Sequence, residues 1–143
     1  MRTKLAVAGL TLALSIGGIA LAPATSAVTG SSVARAATAT VPSFFAGGTW
    51  MLYQSNGPVV TLNLTQDGSG QLYGSASCCG SVVGTIEYGA AVDGTSISFT
   101  IAWSNGSRGR YTGSLGADRR LSGFTFDLNN PSSQATWSTS RVF

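Results

Sequence analysis

Seven clusters of turn-forming residues punctuate this chain at near-regular intervals, and a helical fold cannot accommodate them. They are Ser55-Asn56-Gly57, Asp67-Gly68-Ser69-Gly70, Cys79-Gly80, Asp93-Gly94, Asn105-Gly106, Gly116-Ala117-Asp118 and Asn129-Asn130-Pro131. Asn-Gly and Asp-Gly steps supply the positive φ angles that tight hairpins require. Eight extended segments lie around these turns, at 48–54, 59–66, 71–78, 81–92, 96–104, 108–115, 120–128 and 134–142. Several alternate with period two, the mark of a strand with one buried face. Val60, Leu62 and Leu64 oppose Thr61, Asn63 and Thr65, while Ile97, Phe99, Ile101 and Trp103 oppose Ser98, Thr100 and Ala102. No window carries a helical stripe, and the abundant Gly, Ser, Thr and Val disfavour helix. The expectation is all-β, an eight-stranded antiparallel up-and-down barrel, since short hairpins form a meander and closure removes both exposed edges. A sandwich is the alternative, but its Greek-key crossovers need longer connections.

The first residues follow a different rule. Arg2 and Lys4 precede an apolar run from Leu5 to Ala22, and small residues follow at Ala24-Thr25-Ser26-Ala27. This pattern predicts a secretory signal peptide over 1–27, cut after Ala27, with Ala36-Ala37 as a second candidate site. The run approaches the roughly 20 residues of a membrane anchor, but Gly17-Gly18, Pro23 and the small-residue exit fit cleavage better. Export to a secreted, extracellular location without an integral span is therefore expected. Residues 28–46 are Ser/Thr-rich, small and aperiodic, which predicts a flexible leader. The barrel domain is placed at 47–143, and roughly 115 residues after cleavage suffice for one core.

Cleavage also removes two positive charges. Six Arg (35, 108, 110, 119, 120, 141) then face five carboxylates (Asp67, Glu87, Asp93, Asp118, Asp127), a net of +1. Nothing in that balance suggests a nucleic-acid partner, although Arg108, Arg110, Arg119 and Arg120 could form a local anion patch near one pair of turns. The two cysteines are adjacent, Cys78-Cys79. A vicinal disulfide, intermolecular pairing and two reduced thiols all stay open; a strained exposed bridge would be of the reducible kind.

Gly48-Thr49-Trp50 at the start of the first segment and Arg141 near the end of the last resemble the calycin superfamily of lipocalins and avidins. There an early Trp closes the barrel floor beneath a basic side chain, which implies structural roles for Trp50 and Arg141. Thr100-Ile101-Ala102-Trp103-Ser104-Asn105, Tyr111-Thr112-Gly113 and Trp137 are similar to avidin and streptavidin motifs over about the 95 residues from Gly48. The resemblance implies that Trp103 lines a ligand pocket, that Trp137 reaches a subunit contact, and that a homo-oligomer can form. The biotin-binding positions differ. Leu52 replaces a polar residue, Ala76 and Cys78 replace Tyr and Ser, and the late Asp finds no counterpart before Phe143. A pocket that has lost those partners loses recognition by orders of magnitude.

Catalytic chemistry lacks its parts. The chain has no histidine, which removes Ser-His and Cys-His nucleophiles and His-based metal sites, and two adjacent thiols do not complete a zinc set. Asp67, Asp93 and Asp118 sit in turn motifs where Asp bonds backbone. Asn63-Leu64-Thr65 and Asn105-Gly106-Ser107 match the glycosylation pattern by coincidence in a chain of bacterial composition. Neither an enzyme nor a cofactor or metal is expected. The aromatic set Trp50, Phe99, Trp103, Tyr111, Phe124, Phe126 and Trp137 is expected to be mostly core. The expected function is a secreted protein holding a small apolar or amphipathic ligand in the barrel mouth. Trp103, Tyr111 and Trp137 would give contact area, with Gln54, Asn56 and Ser104 as polar groups. Alternatives are a protein-binding module such as a protease inhibitor, working through the arginine turns and the leader, and an envelope-surface structural protein.

Overall fold

The computed structural model describes residues 40–143; the expected signal peptide and residues 28–39 of the leader, with Arg35, lie outside the described residues. Every turn cluster becomes a turn, and the strands are β1 (Gly48–Gln54), β2 (Val59–Gln66), β3 (Leu72–Cys78), β4 (Val82–Ile86), β5 (Ala91–Asp93), β6 (Ser96–Trp103), β7 (Arg108–Leu115), β8 (Leu121–Asp127) and β9 (Gln134–Thr139). All pairings are antiparallel, and β1 pairs with both β2 and β9, which closes the barrel. No helix among the described residues is long and apolar enough to cross a membrane.

The segment expected at 81–92 is broken. β4 pairs with the far half of β6 (Ile86↔Ile101) and β5 with its near half (Val92↔Ile97), so the register slips by two residues between them. Neighbouring β3 shows the same slip, from Ser75↔Thr85 to Gln71↔Ala91. The two extra residues form a bulge at 87–90 that pushes Tyr88 almost fully into solvent. β4 and β5 are thus two halves of one barrel strand, giving eight staves from nine strands. The last strand is also shorter than expected and ends at Thr139.

The barrel's waist is solid. Leu52, Val60, Leu62, Phe99, Ile101 and Leu121 show no exposed surface and fill the interior from four strands, β1, β2, β6 and β8. Leu52 and Ala76 both belong to this core. Eight strands enclose a lumen that side chains just fill. Among the described residues, free space lies toward the ends.

The lower end is shut by chain that the sequence placed in the flexible leader. Residues 40–46 run across it as a strap, with Phe44 and Ala46 buried. Ser43 N–H donates to Gly94 O at 2.9 Å, and Thr40 is tied to the Asp93 carboxylate. The Gln66 side-chain amide clamps the strap by accepting from Ala46 N–H at 2.7 Å and donating to Phe44 O at 3.3 Å. Phe44 gives this Ser/Thr tract an apolar foot, which is why it docks rather than trails, while Phe45 beside it stays exposed.

Candidate functional site

At the opposite end the turns β1–β2, β3–β4, β6–β7 and β8–β9 surround a cavity of about 290 Å³. That is near the lower limit for small-molecule sites. Its walls include Gln54 and Asn56 from the first hairpin, Trp103 and Asn105 from the third, and Tyr111 and Thr125 from β7 and β8. The Tyr111 ring stacks on Phe99 with centroids 4.9 Å apart, and the Gln54 amide donates to its hydroxyl at 3.3 Å. Burial pushes the Tyr111 phenol pKa up, opposed by hydrogen bonds from Thr125 and Gln54, so the group stays a neutral donor and acceptor.

Trp103 stands apart from the other two indoles. Trp50 Nε1–H donates to Ala46 O at 2.9 Å, and Trp137 Nε1–H donates to Phe124 O at 3.1 Å. Trp103 Nε1–H has no protein acceptor among the described residues. It lies over Gly109, where an added Cβ would stand 3.3 Å from both this nitrogen and the Tyr111 hydroxyl. A side chain at 109 would fill the space these polar atoms share. The one carboxylate on the wall, Asp127, accepts through Oδ1 from the backbone N–H groups of Arg108 at 3.2 Å and Asn129 at 3.0 Å.

Four of the six expected ligand residues, Gln54, Asn56, Trp103 and Tyr111, therefore meet at one cavity. Trp137 and Ser104 do not. Trp137 lies inside the barrel, its indole resting over Gly113, where a Cβ would come within 2.4 Å of the ring. A residue without a side chain on the neighbouring stave makes the trough that takes Trp137 into the core. Ser104 is drawn to the next strand instead: its N–H donates to Val83 O at 2.8 Å and its hydroxyl accepts from Val83 N–H at 3.3 Å. Phe124 and Phe126, considered for core or cage, lie 6.1 Å apart, and Phe124 is exposed.

At the floor the expected stacking of Arg141 on Trp50 is not the arrangement found. The ring beneath the Arg141 guanidinium is Phe143, 4.6 Å away, and Phe143 meets Trp50 edge-on at 5.3 Å. Arg141 also donates to Gly47 O at 3.0 Å. It lies past the end of β9 rather than within it, because the strand stops at Thr139.

The arginine patch does not assemble. β7 carries Arg108 and Arg110 at the mouth, while Arg119 and Arg120 follow its far end on the turn to β8. Arg108 is held by Glu87, with Nη2 2.7 Å from Oε2, and Arg110 donates to Thr100 at 3.2 Å. Cys78 and Cys79 are joined as a vicinal disulfide, and both line the cavity. Sequence reasoning missed the disulfide's place on the rim, along with Gly109 and Thr125. Thr125 was detectable as the inward position between Phe124 and Phe126, whereas Gly109 between two arginines reads as a turn residue.

No protein family, curated protein or solved structure matches the chain. The site's chemistry is left to carry the functional reading.

Proposed function

We propose that this is an exported, non-catalytic binding protein that holds one small amphipathic molecule in the mouth of the barrel. The observation that carries the reading is the Trp103 indole N–H, open to a concave, largely apolar cavity while the other two indoles are satisfied internally. A ligand carbonyl or ether oxygen would accept from it, and the Tyr111 hydroxyl and the Gln54 amide offer further polar partners nearby. Trp103 and Tyr111 supply the apolar walls, with Asn56 at the edge. The absence of histidine and the backbone-bound state of Asp127 both favour binding over catalysis. Biotin is not the expected occupant, because Leu52 and Ala76 present hydrocarbon where its polar atoms would need partners. The protein-binding alternative loses support from the engaged Arg108 and Arg110 and from the docked end of the leader.

Native mass spectrometry of the purified protein, paired with titration of the neutral naphthalene dye prodan, tests the reading. A retained small-molecule mass or saturable dye binding is expected. Both should fall at least tenfold in Trp103→Ala, which loses the ring, and in Gly109→Ala, which places a methyl group between the Trp103 N–H and the Tyr111 hydroxyl. Affinity unchanged in both variants would refute the assignment.

A further inference from the structure

We propose, resting on the mouth-binding reading above, that the Cys78–Cys79 disulfide is a thiol-exchange site that gates the cavity. The two sulfurs form part of the wall that Trp103 and Tyr111 complete. Cys78 is half-buried against the core at the end of β3, whereas Cys79 is exposed on the turn Cys79-Gly80-Ser81. A small thiol arriving from solvent therefore meets Cys79 first. Its thiolate attacks Cys79 Sγ, the Sγ–Sγ bond breaks, and Cys78 leaves as a thiolate that takes a proton from water. The adduct is a mixed disulfide on Cys79, standing at the cavity entrance. A second thiol of the same class completes a two-electron reduction to two free thiols, with the attacking thiols released as their own disulfide. Alternatively, Cys78 re-attacks and restores the ring.

The mechanical consequence comes from the backbone. Cys79 holds φ at +56° and Gly80 at +86°. A left-handed conformation is ordinary for Gly but strained for a residue of the Cys type. While the two cysteines share a ring, Cys79 cannot turn its side chain away independently of Cys78. Once the bond is cut, Cys79 is free to leave the left-handed region, and the hairpin end that pairs Cys78 with Val82 and Val60 is no longer pinned. If the binding-competent arrangement of the mouth then makes up only about a tenth of the population, apparent affinity falls about tenfold. The fold itself should survive, because a bridge between neighbours closes no chain loop and so contributes little to global stability.

The experiment measures prodan binding to the oxidised protein, to protein reduced with dithiothreitol and capped with iodoacetamide, and to reduced protein re-oxidised without capping. Far-UV circular dichroism is recorded on each. Two variants separate the chemistry from the backbone effect: Cys78→Ser with Cys79→Ser, and Cys78→Ser with Cys79→Asn, since Asn tolerates positive φ. Expected are roughly tenfold weaker binding on reduction, recovery on re-oxidation, weak binding in the Ser/Ser variant, and tighter binding in the Ser/Asn than in the Ser/Ser variant, with neither variant responding to reductant. Equal binding before and after reduction overturns the gate and leaves the mouth-binding reading intact. No dye binding to the oxidised protein overturns that reading and the gate with it. Loss of the β-sheet spectrum on reduction also overturns the gate, by making the bridge a global staple.

Discussion

The two ends of this barrel are built from similar residues and differ in what is left over. At the floor, Trp50, Phe143, Phe44 and Arg141 satisfy one another: rings meet edge to face at 5.3 and 5.9 Å, the indole N–H reaches Ala46 O, and the guanidinium caps both a ring and a carbonyl. At the mouth, Trp103, Tyr111, Gln54 and Asn56 leave an indole N–H without a protein partner and about 290 Å³ unfilled. No side-chain nitrogen or oxygen buried from solvent lacks a partner among the described residues, so the Trp103 N–H keeps its free donor where the cavity meets solvent. An aromatic cluster that pairs everything is a closure. One that keeps a donor at the edge of a cavity is a place for something else.

The largest test of that contrast is a pair of truncations. Trp50→Ala should cost about 4 kcal/mol, as expected for removing a buried Trp, and should loosen the strap and Phe143 with it. Trp103→Ala, at the half-exposed end, should cost no more than about 1 kcal/mol in the same denaturant titration. Equal losses would mean that the mouth is as structural as the floor and that its cavity is incidental.

A finer version uses two glycines on one strand. Gly109 and Gly113 both lie on β7 with Tyr111 between them. A Cβ at Gly113 would sit 2.4 Å from Trp137 and 2.6 Å from Ser122 O, so Gly113→Ala should cost about 2 kcal/mol through overpacking. At Gly109 a Cβ would meet the edge of the buried Tyr111 ring at 2.8 Å, with no backbone atom as close, so the ring edge must give. Gly109→Ala should cost about 1 kcal/mol, less than Gly113→Ala, and weaken dye binding at least tenfold. If the two variants lose similar stability, the distinction between packed waist and open mouth fails.

Much of this layout is legible in the sequence because it is enforced locally. Asn-Gly and Asp-Gly steps fix the turns, and alternation fixes which face of β2 or β6 points inward. The misses share a different cause. Trp103 and Trp137 look alike along the chain, and only Gly113 on another stave decides that Trp137 is core. The bulge at 87–90 announces itself with Gly89 alone, because a two-residue slip in register is a property of three strands at once. The strap carried a signal in Phe44-Phe45, outweighed by the Ser/Thr composition around it. The cysteines' adjacency was plain, but their position on a cavity wall depends on how β2, β3 and β4 line up.

The strap gives a smaller effect at the floor. Gln66→Ala removes the acceptor for Ala46 N–H and the donor to Phe44 O in one step. The expected cost is about 1.5 kcal/mol, that of leaving partly buried backbone groups unpaired. Limited proteolysis should then cut within 40–47 while the mouth still binds dye. Loss of dye binding in this variant would show that the two ends are coupled rather than independent.

The smallest effect is electrostatic and is also biased toward the floor. Hydrogen bonds from Thr40 hold the Asp93 carboxyl below the usual carboxylate range, and those from Ser69, with backbone N–H groups, do the same for Asp67 on the β2–β3 turn. A carboxylate whose folded pKa is depressed stabilises the fold fully above its unfolded pKa, and that contribution is lost as pH falls through the folded value. The loss therefore begins near pH 4 and grows below it, releasing the strap from Asp93. Glu87, lowered by its bond to Arg108, follows the same sign on the barrel wall. Because these groups are exposed, the shift in stability should be slight, and local cleavage is the better readout. Proteolysis of the strap with an acid-active protease should accelerate between pH 5 and pH 3 in the natural chain. In Asp93→Asn, which does not titrate, the rate should depend much less on pH. An identical pH dependence in that variant would mean that the strap is held by Phe44 and Gln66 alone, which would make the floor's closure wholly apolar and amide-based, and the contrast with the mouth sharper still.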